Sequence, residues 1–167
     1  KKNLVIKRDG RLEEYNPEKM RKVILWASEG SEVFTNQLLE AIDIKIHNKI
    51  SIEKLYDEVI DTASNLISDL FPHWERIAKN LYLLKLHKML GVKRSEYPDY
   101  KEIVENNIAS GFYNPDVIEN VDIERLGIEI NPEYDKLFTF SGLFLFVDKY
   151  CNKVKNRLLE LPQHTYM

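Results

Sequence analysis

The sequence is poor in the residues that mark many enzyme centres. Its 167 residues include one cysteine, Cys151, and six glycines. A lone thiol excludes an internal disulfide and argues against a zinc site, and it fits a reducing compartment. The glycines, at positions 10, 30, 91, 111, 127 and 142, are too scattered for either phosphate-cradling glycine loop, so a bound phosphate would have to be held by side chains. His47, His73, His87 and His164 fall at no metal-ligand spacing, and no nucleophile stands beside a base in a recognisable motif. The longest apolar run, LFTFSGLFLFV at 137–147, is too short and too interrupted to span a bilayer, and no secretory leader opens the chain. The chain reads as soluble and cytoplasmic, with neither a catalytic residue nor a metal site of its own.

An overall surplus of positive charge is missing too. The formal charge is −3 with 31% charged residues, which argues against a nucleic-acid partner. The surplus exists only locally. Residues 1–22 carry eight Lys or Arg against four acids, a balance of +4, so the remainder carries −7.

What is present reads as a mostly helical α+β chain. Two short apolar stretches, NLVI and LEEY, flank Asp9-Gly10, a dipeptide suited to a hairpin turn, so residues 3–15 are predicted to form a hairpin. Asn16 is an N-cap and Pro17 a first helical residue, with Met20, Val23, Ile24 and Ala27 at helical spacing until Gly30. Three further helices are predicted over 36–48, 52–68 and 73–90, the second capped by Ser51 and the third ending at Gly91. The hairpin and four helices form one module up to about Lys93, and VKRSEYP reads as a linker. Beyond it come a helix at 98–110, an Asn114-Pro115 restart, an acidic stretch, and an aromatic run from Phe138 to Phe146 that suits a helix buried on all sides. The following DKYCNKVKNRLLELPQ reads as a turn and a short strand.

The stretch VIKRDGRLEEYNPEKM, at 5–20, gathers residue types suited to an adenine nucleotide. Lys7 and Arg8 fall at a hairpin tip, and Lys19 lies in the first turn of a helix whose N-terminus offers free N–H groups and a positive dipole end. Glu13 can accept from an adenine amino group and Asn16 can bond a ribose hydroxyl, while Val5, Tyr15 and Met20 can supply an apolar slot for the base. The same residues also fit a plain solvated hairpin with an ordinary helix start, in which Glu13 pairs with Arg8 or Arg11 across the strands.

VIKRDGRLEEYNPEKMRKVILWASEG, with RIAKNLYLLKLHKMLG at 76–91, resembles the ATP-cone at the N-terminus of the large subunit of aerobic, class I ribonucleotide reductases. FTFSGLFLFVDKY and LELPQHTYM resemble the segment by which that subunit leads into its catalytic barrel, so the resemblance covers essentially the whole chain. Its short, divergent form is similar to phage-encoded reductases. The resemblance implies an ATP-cone over residues 1–93, then, over 94–167, the helical N-terminal lead-in of the catalytic α/β barrel domain. It implies phosphate contacts from Lys7, Arg8, Lys19 and Lys88, an adenine contact from Glu13 and a sugar contact from Asn16. Where the family often has a hydroxyl residue and a His, this chain has Ile52 and Tyr56. Tyr56 remains a candidate contact, and the departure implies weak discrimination between ATP and dATP.

The resemblance further implies reduction of ribonucleoside diphosphates by the whole enzyme, with ATP or dATP, accompanied by Mg, as allosteric effector. Cys151 matches none of the catalytic cysteines, so this chain alone should be inactive. The implied partners are the remainder of the large subunit, a radical-generating small subunit and further copies of the large subunit, with no membrane and no nucleic acid. A stand-alone ATP-cone used as a regulatory module is the alternative, and a repressor of that kind would be expected to bring a cysteine-rich zinc ribbon that this chain lacks. A purely structural helical protein would bind no nucleotide.

Overall fold

In the computed structural model, which describes residues 3–167, the expected hairpin forms from β1 (Leu4–Ile6) and β2 (Leu12–Glu14), paired antiparallel with Val5 opposite Glu13. Lys1 and Lys2, part of the basic N-terminal surplus, lie outside the described residues. Gly10 takes φ 81 at the tip, a left-handed value that a Cβ would penalise. The Asp9 carboxylate accepts from the Arg11 backbone N–H at 3.1 Å, closing the turn.

The chain divides into two compact units, Lys1–Tyr82 and Leu83–Met167. In the first unit α1 (Pro17–Ala27) is capped as expected, with the Asn16 side chain accepting from the N–H groups of Glu18 and Lys19. α2 runs over Glu32–Asp43 rather than 36–48. Its start moves back because Ser31 caps it and Thr35 donates its hydroxyl to the Ser31 carbonyl at 2.7 Å. Its end moves back because residues 44–49 are drawn onto the open edge of β1. There the Asn48 side chain accepts from Leu4 N–H at 3.0 Å, Lys49 N–H donates to the Leu4 carbonyl at 2.8 Å, and Lys49 adopts φ 63. Buried backbone groups must find partners, and that demand overrides the apolar stripe that would have extended the helix to Ile46.

The unpredicted β3 (Ile50–Ser51) follows at once, parallel to β1, giving the sheet order β2-β1-β3. Ser51 then caps α3 (Ile52–Asn65), which stops short of the expected residue 68 because Ser68 turns back to pair with Phe71. Ile24, Leu38, Ile42, Ile50, Leu55, Val59, Trp74 and Leu81 are almost completely buried and make an apolar core. α4 (His73–Met89) carries Trp74, Ile77, Ala78 and Leu81 into it.

The division between units falls within α4, between Tyr82 and Leu83, whereas composition places the junction near Lys93. The second unit therefore starts with the last turns of α4. It continues through α5 (Tyr100–Ala109), α6 (Val117–Asn120), α7 (Ile123–Glu129), a 3₁₀ turn (Pro132–Leu137), α8 (Phe140–Lys149), the short hairpin β4 (Lys153–Val154) and β5 (Arg157–Leu158), and α9 (Pro162–Tyr166). Tyr100, Val104 and Ile123 form its apolar cluster, with Ile108, Tyr113 and Leu126 against it.

The expected linker is anchored rather than free. Tyr97 donates its hydroxyl to Asp135, a buried carboxylate that also accepts from Gln163 at 3.1 Å. Gln163 in turn donates to the Asn131 carbonyl at 2.7 Å and accepts from its N–H at 2.9 Å. Glu160, 1% exposed, accepts from the Tyr113 hydroxyl, the Asn152 N–H and the Thr165 hydroxyl at 2.7–3.0 Å.

Within this chain the aromatic run is covered on one side alone. α8 is not buried on all sides: only Leu143 and Val147 are buried, while Phe144 and Leu145 are 52% and 57% exposed. The cause is that the rest of the unit covers one stripe of the helix. Phe146 packs against Phe138, Tyr150 and Tyr166, and Phe140 against Phe144, in surface aromatic contacts.

Candidate functional site

The strand register gathers the first unit's charged candidates. Val5 sits between Glu13 on β2 and Ile50 on β3, and Ile6 pairs with Ser51, so the hairpin tip reaches toward the first turn of α3. Directly opposed residues of an antiparallel pair share a face, which puts Glu13 over Val5 and beside Lys7. The Glu13 carboxylate lies 3.5 Å from Lys7 Nζ and 2.7 Å from Lys19 Nζ. Lys19 comes from the first turn of α1, whose Asn16 cap leaves its orientation set by backbone bonds. Arg8 Nε donates to Glu53 Oε1 at 2.9 Å, across from the first turn of α3.

The pairing differs from the cross-strand alternative, since neither Arg8 nor Arg11 is bonded to Glu13; Arg11 closes on Asp9 instead. The hydrogen bond from Lys19, and then the charge of Lys7, hold the Glu13 carboxyl below its ordinary range. Lys7, Arg8 and Lys19 thus face two carboxylates at the N-terminal ends of α1 and α3. Such a cluster, partly exposed and rich in donors, can accept the oxygens of a polyanion.

The other candidates are distributed differently. Val5 and Met20 are 4% and 5% exposed and belong to the core. Tyr15 is half-buried and lines a separate groove of about 270 Å³ with Pro17, Arg21, Leu39 and Asp43. Burial there, and then Asp43, raise the Tyr15 hydroxyl above its ordinary value. Tyr56 is 4% exposed on α3, one turn beyond the half-buried Ile52. Lys88 is exposed in the last turn of α4, in the second unit.

Glu53 was missed by sequence reasoning. Its signal was faint: an acid two residues after a Ser cap, which ordinarily means no more than a favourable first-turn charge. Only the parallel pairing of β1 with β3, itself invisible in the sequence, places it against Arg8. Among the described residues no group of His, Cys, Asp and Glu could hold a metal ion, and no helix is long and apolar enough to cross a membrane.

A β-hairpin edged by a third short strand, with helices behind it and cations gathered near two helix N-termini, makes up the module that carries these side chains. The ATP cone domain family matches residues 3–81. Beyond that module, the chain as a whole is homologous to the N-terminal region of ribonucleoside-diphosphate reductase alpha subunits. It is 32% identical over 166 residues to that subunit of Helicobacter pylori strain 26695, covering 98% of this chain and 21% of the relative. It is 27% identical over 168 residues to the subunit of phage T4 and 26% identical over 170 residues to the alpha subunit of ribonucleoside-diphosphate reductase 1 of Escherichia coli K12, covering in both cases 98% of this chain and 22% of the relative. The chain spans about a fifth of the length of these curated relatives.

Proposed function

We propose that the chain is the N-terminal part of a ribonucleoside-diphosphate reductase large subunit and that its first unit binds ATP or dATP as an allosteric effector. The observation that carries the nucleotide reading is the sharing of Glu13 between Lys7 and Lys19, with Arg8 on the adjoining hairpin tip. Triphosphate oxygens take over the cations, and Glu13, relieved of them, turns to the adenine amino group. Asn16 keeps its carbonyl oxygen on the α1 N–H groups and offers its amide to the sugar. Magnesium arrives on the phosphates, since the described side chains offer no metal cluster.

In the same reading, residues beyond the cone lead into the catalytic barrel, and the exposed side of α8 packs on the remainder of the large subunit. The whole enzyme reduces ribonucleoside diphosphates in the cytoplasm, with a radical-generating small subunit and further copies of the large subunit as partners. This chain alone contributes no catalytic cysteine. With Ile52 and a buried Tyr56 on α3, ATP and dATP bind within roughly tenfold of each other, because a single 2′-hydroxyl lacks a dedicated polar partner there.

Titration calorimetry of the full chain with ATP tests the site. Lys7→Ala and Lys19→Ala are each expected to weaken binding roughly tenfold, a loss of about 1.4 kcal/mol. Unchanged affinity in both variants would remove the assignment. A dATP affinity more than tenfold different from that of ATP would remove the indifference of the α3 positions.

A further inference from the structure

The pair formed by Arg8 and Glu53 does something that the other ion pairs of the cluster do not. Lys7 and Lys19 share one carboxylate, whereas Arg8 has a carboxylate to itself, with the two side chains 39% and 41% exposed. The geometry is imposed by the sheet. Ile6 is in register with Ser51, and two residues beyond the end of each strand the chain presents Arg8, in the hairpin turn, and Glu53, in the first turn of α3. Ser51 caps α3, so Glu53 is held in its first turn, beside the free N–H groups of the helix start. The Arg8 guanidinium is thus covered, at the mouth of the site, by an anion tethered to the protein.

We infer that Glu53 is a built-in competitor for the effector's phosphates: binding exchanges its carboxylate for a phosphate oxygen on Arg8, and this exchange sets the affinity of the site. The inference rests on the nucleotide reading given above. A carboxylate and a phosphate oxygen present the same acceptor geometry to a guanidinium, so one substitutes for the other without rebuilding the site. An exposed ion pair is held weakly, which makes the exchange easy to drive and limits its size. Glu53 touches no part of the effector after the exchange, so it is a positioning residue acting through Arg8.

The experiment is a calorimetric double-mutant cycle on the full chain, with ATP and, separately, inorganic tripolyphosphate as ligands. Glu53→Gln is expected to tighten both ligands by roughly two- to fivefold, the range that an exposed pair supports. Arg8→Gln is expected to weaken both, and adding Glu53→Gln to it is expected to change nothing further. Glu53→Ser, which keeps a residue favoured at helix starts, repeats the measurement should the glutamine variant fold poorly. Affinity in Glu53→Gln equal to or below that of the unaltered chain overturns the inference while leaving the nucleotide site standing. So does a gain that persists in the Arg8→Gln background, because it would reflect charge at a distance. Failure of the unaltered chain and of every variant to bind either ligand would instead remove the nucleotide reading, and the inference with it.

Discussion

The two units differ in where they keep their ionisable groups. The first has a core of residues such as Ile24, Leu38 and Val59, and leaves Lys7, Arg8, Glu13 and Lys19 in water as weak, exchangeable pairs. The second also has an apolar core, with Val104, Leu143 and Leu161 in it, but it hides ionisable and amide groups as well, and it leaves several aromatic and aliphatic side chains outside. Asn107, Asp135, Glu160, Gln163 and His164 are buried, while Leu137, Phe144, Leu145 and Tyr150 are more than half exposed. A unit of the first kind is suited to exchanging ligands, because its charges are held cheaply. A unit of the second kind is specified by its buried network, in which only the His164 Nε2 lacks a hydrogen-bond partner among the described residues, and it still has apolar surface to give to a neighbour.

Breaking the buried network should have the largest effect. Glu160→Ala strands the Tyr113 hydroxyl and the Asn152 N–H and leaves Thr165 only its contact with Cys151 Sγ, and it is expected to cost roughly 3 kcal/mol of stability. Cys151 gives the readout for this unit: it is buried, and burial pushes its thiol up to about 11, so alkylation in urea follows unfolding of its surroundings. Trp26 and Trp74 are the chain's two tryptophans, and both belong to the first unit, so their fluorescence reports on the other side of the comparison.

Acid should come next. Burial lowers His164 from 6.5 to about 4, against only a partial offset from the Pro98 backbone. Between those two pH values the unfolded chain holds more protons than the folded one, so stability is intact above about pH 6.5 and falls as pH drops toward 4. Two and a half pH units at about 1.4 kcal/mol each set a ceiling of roughly 3 kcal/mol on this loss. Asp135, held above the ordinary carboxylate range chiefly by burial, takes its proton first in the folded state and opposes the trend. His164→Asn keeps an acceptor for the Leu161 N–H and should flatten the decline in Cys151 protection. An equally steep decline in that variant would assign the acid loss to other groups.

The first unit's charges should matter far less to folding. Lys7→Ala and Lys19→Ala are each expected to shift the tryptophan-detected midpoint by less than about 0.5 kcal/mol, even though each is expected to weaken ATP binding. The smallest effect on folding is expected at the α8 surface. Phe144→Ser should leave stability within about 0.5 kcal/mol of the unaltered chain, because the ring already lies half in water. Its signature is reduced self-association of the 167-residue chain in sedimentation at raised concentration. Unchanged association would mean that this face is not the sticky one.

The same contrast explains what could be seen in the sequence. Caps, an Asx turn and a 3.6-residue stripe are local, so the hairpin, α1 and the start of α3 were legible from Asp9, Asn16, Pro17 and Ser51. β3 was not: Ile50 and Ser51 form a strand only because β1 has an open edge, and that is a fact about a segment 45 residues away. Glu53 was lost with it. That Lys7 and Lys19 converge on Glu13 was within reach of the sequence, but the placement of Val5, Tyr15 and Met20 was not. Burial of Val5 and Met20, and the turn of Tyr15 toward Asp43, depend on how α1 and α2 pack. In the second unit, Tyr97 looked like linker because nothing adjacent in sequence announces Asp135 and Gln163 as its partners.

The uninterrupted run of α4 through the boundary at Tyr82 bears on how this module can be transplanted. Recombination that joins genes at the compositional seam near Lys93 would carry Leu83, Leu84, Leu86 and His87, all buried here and all assigned to the second unit, into a host that must bury them anew. A cut at Tyr82 would instead leave the graft without the last two turns of a helix, Lys88 among them. A functional chimaera therefore calls for a host whose own sequence continues the helix in phase. Fusions that splice helix to helix at Tyr82 should yield folded protein more often than fusions through a flexible Gly-Ser joint at Lys93.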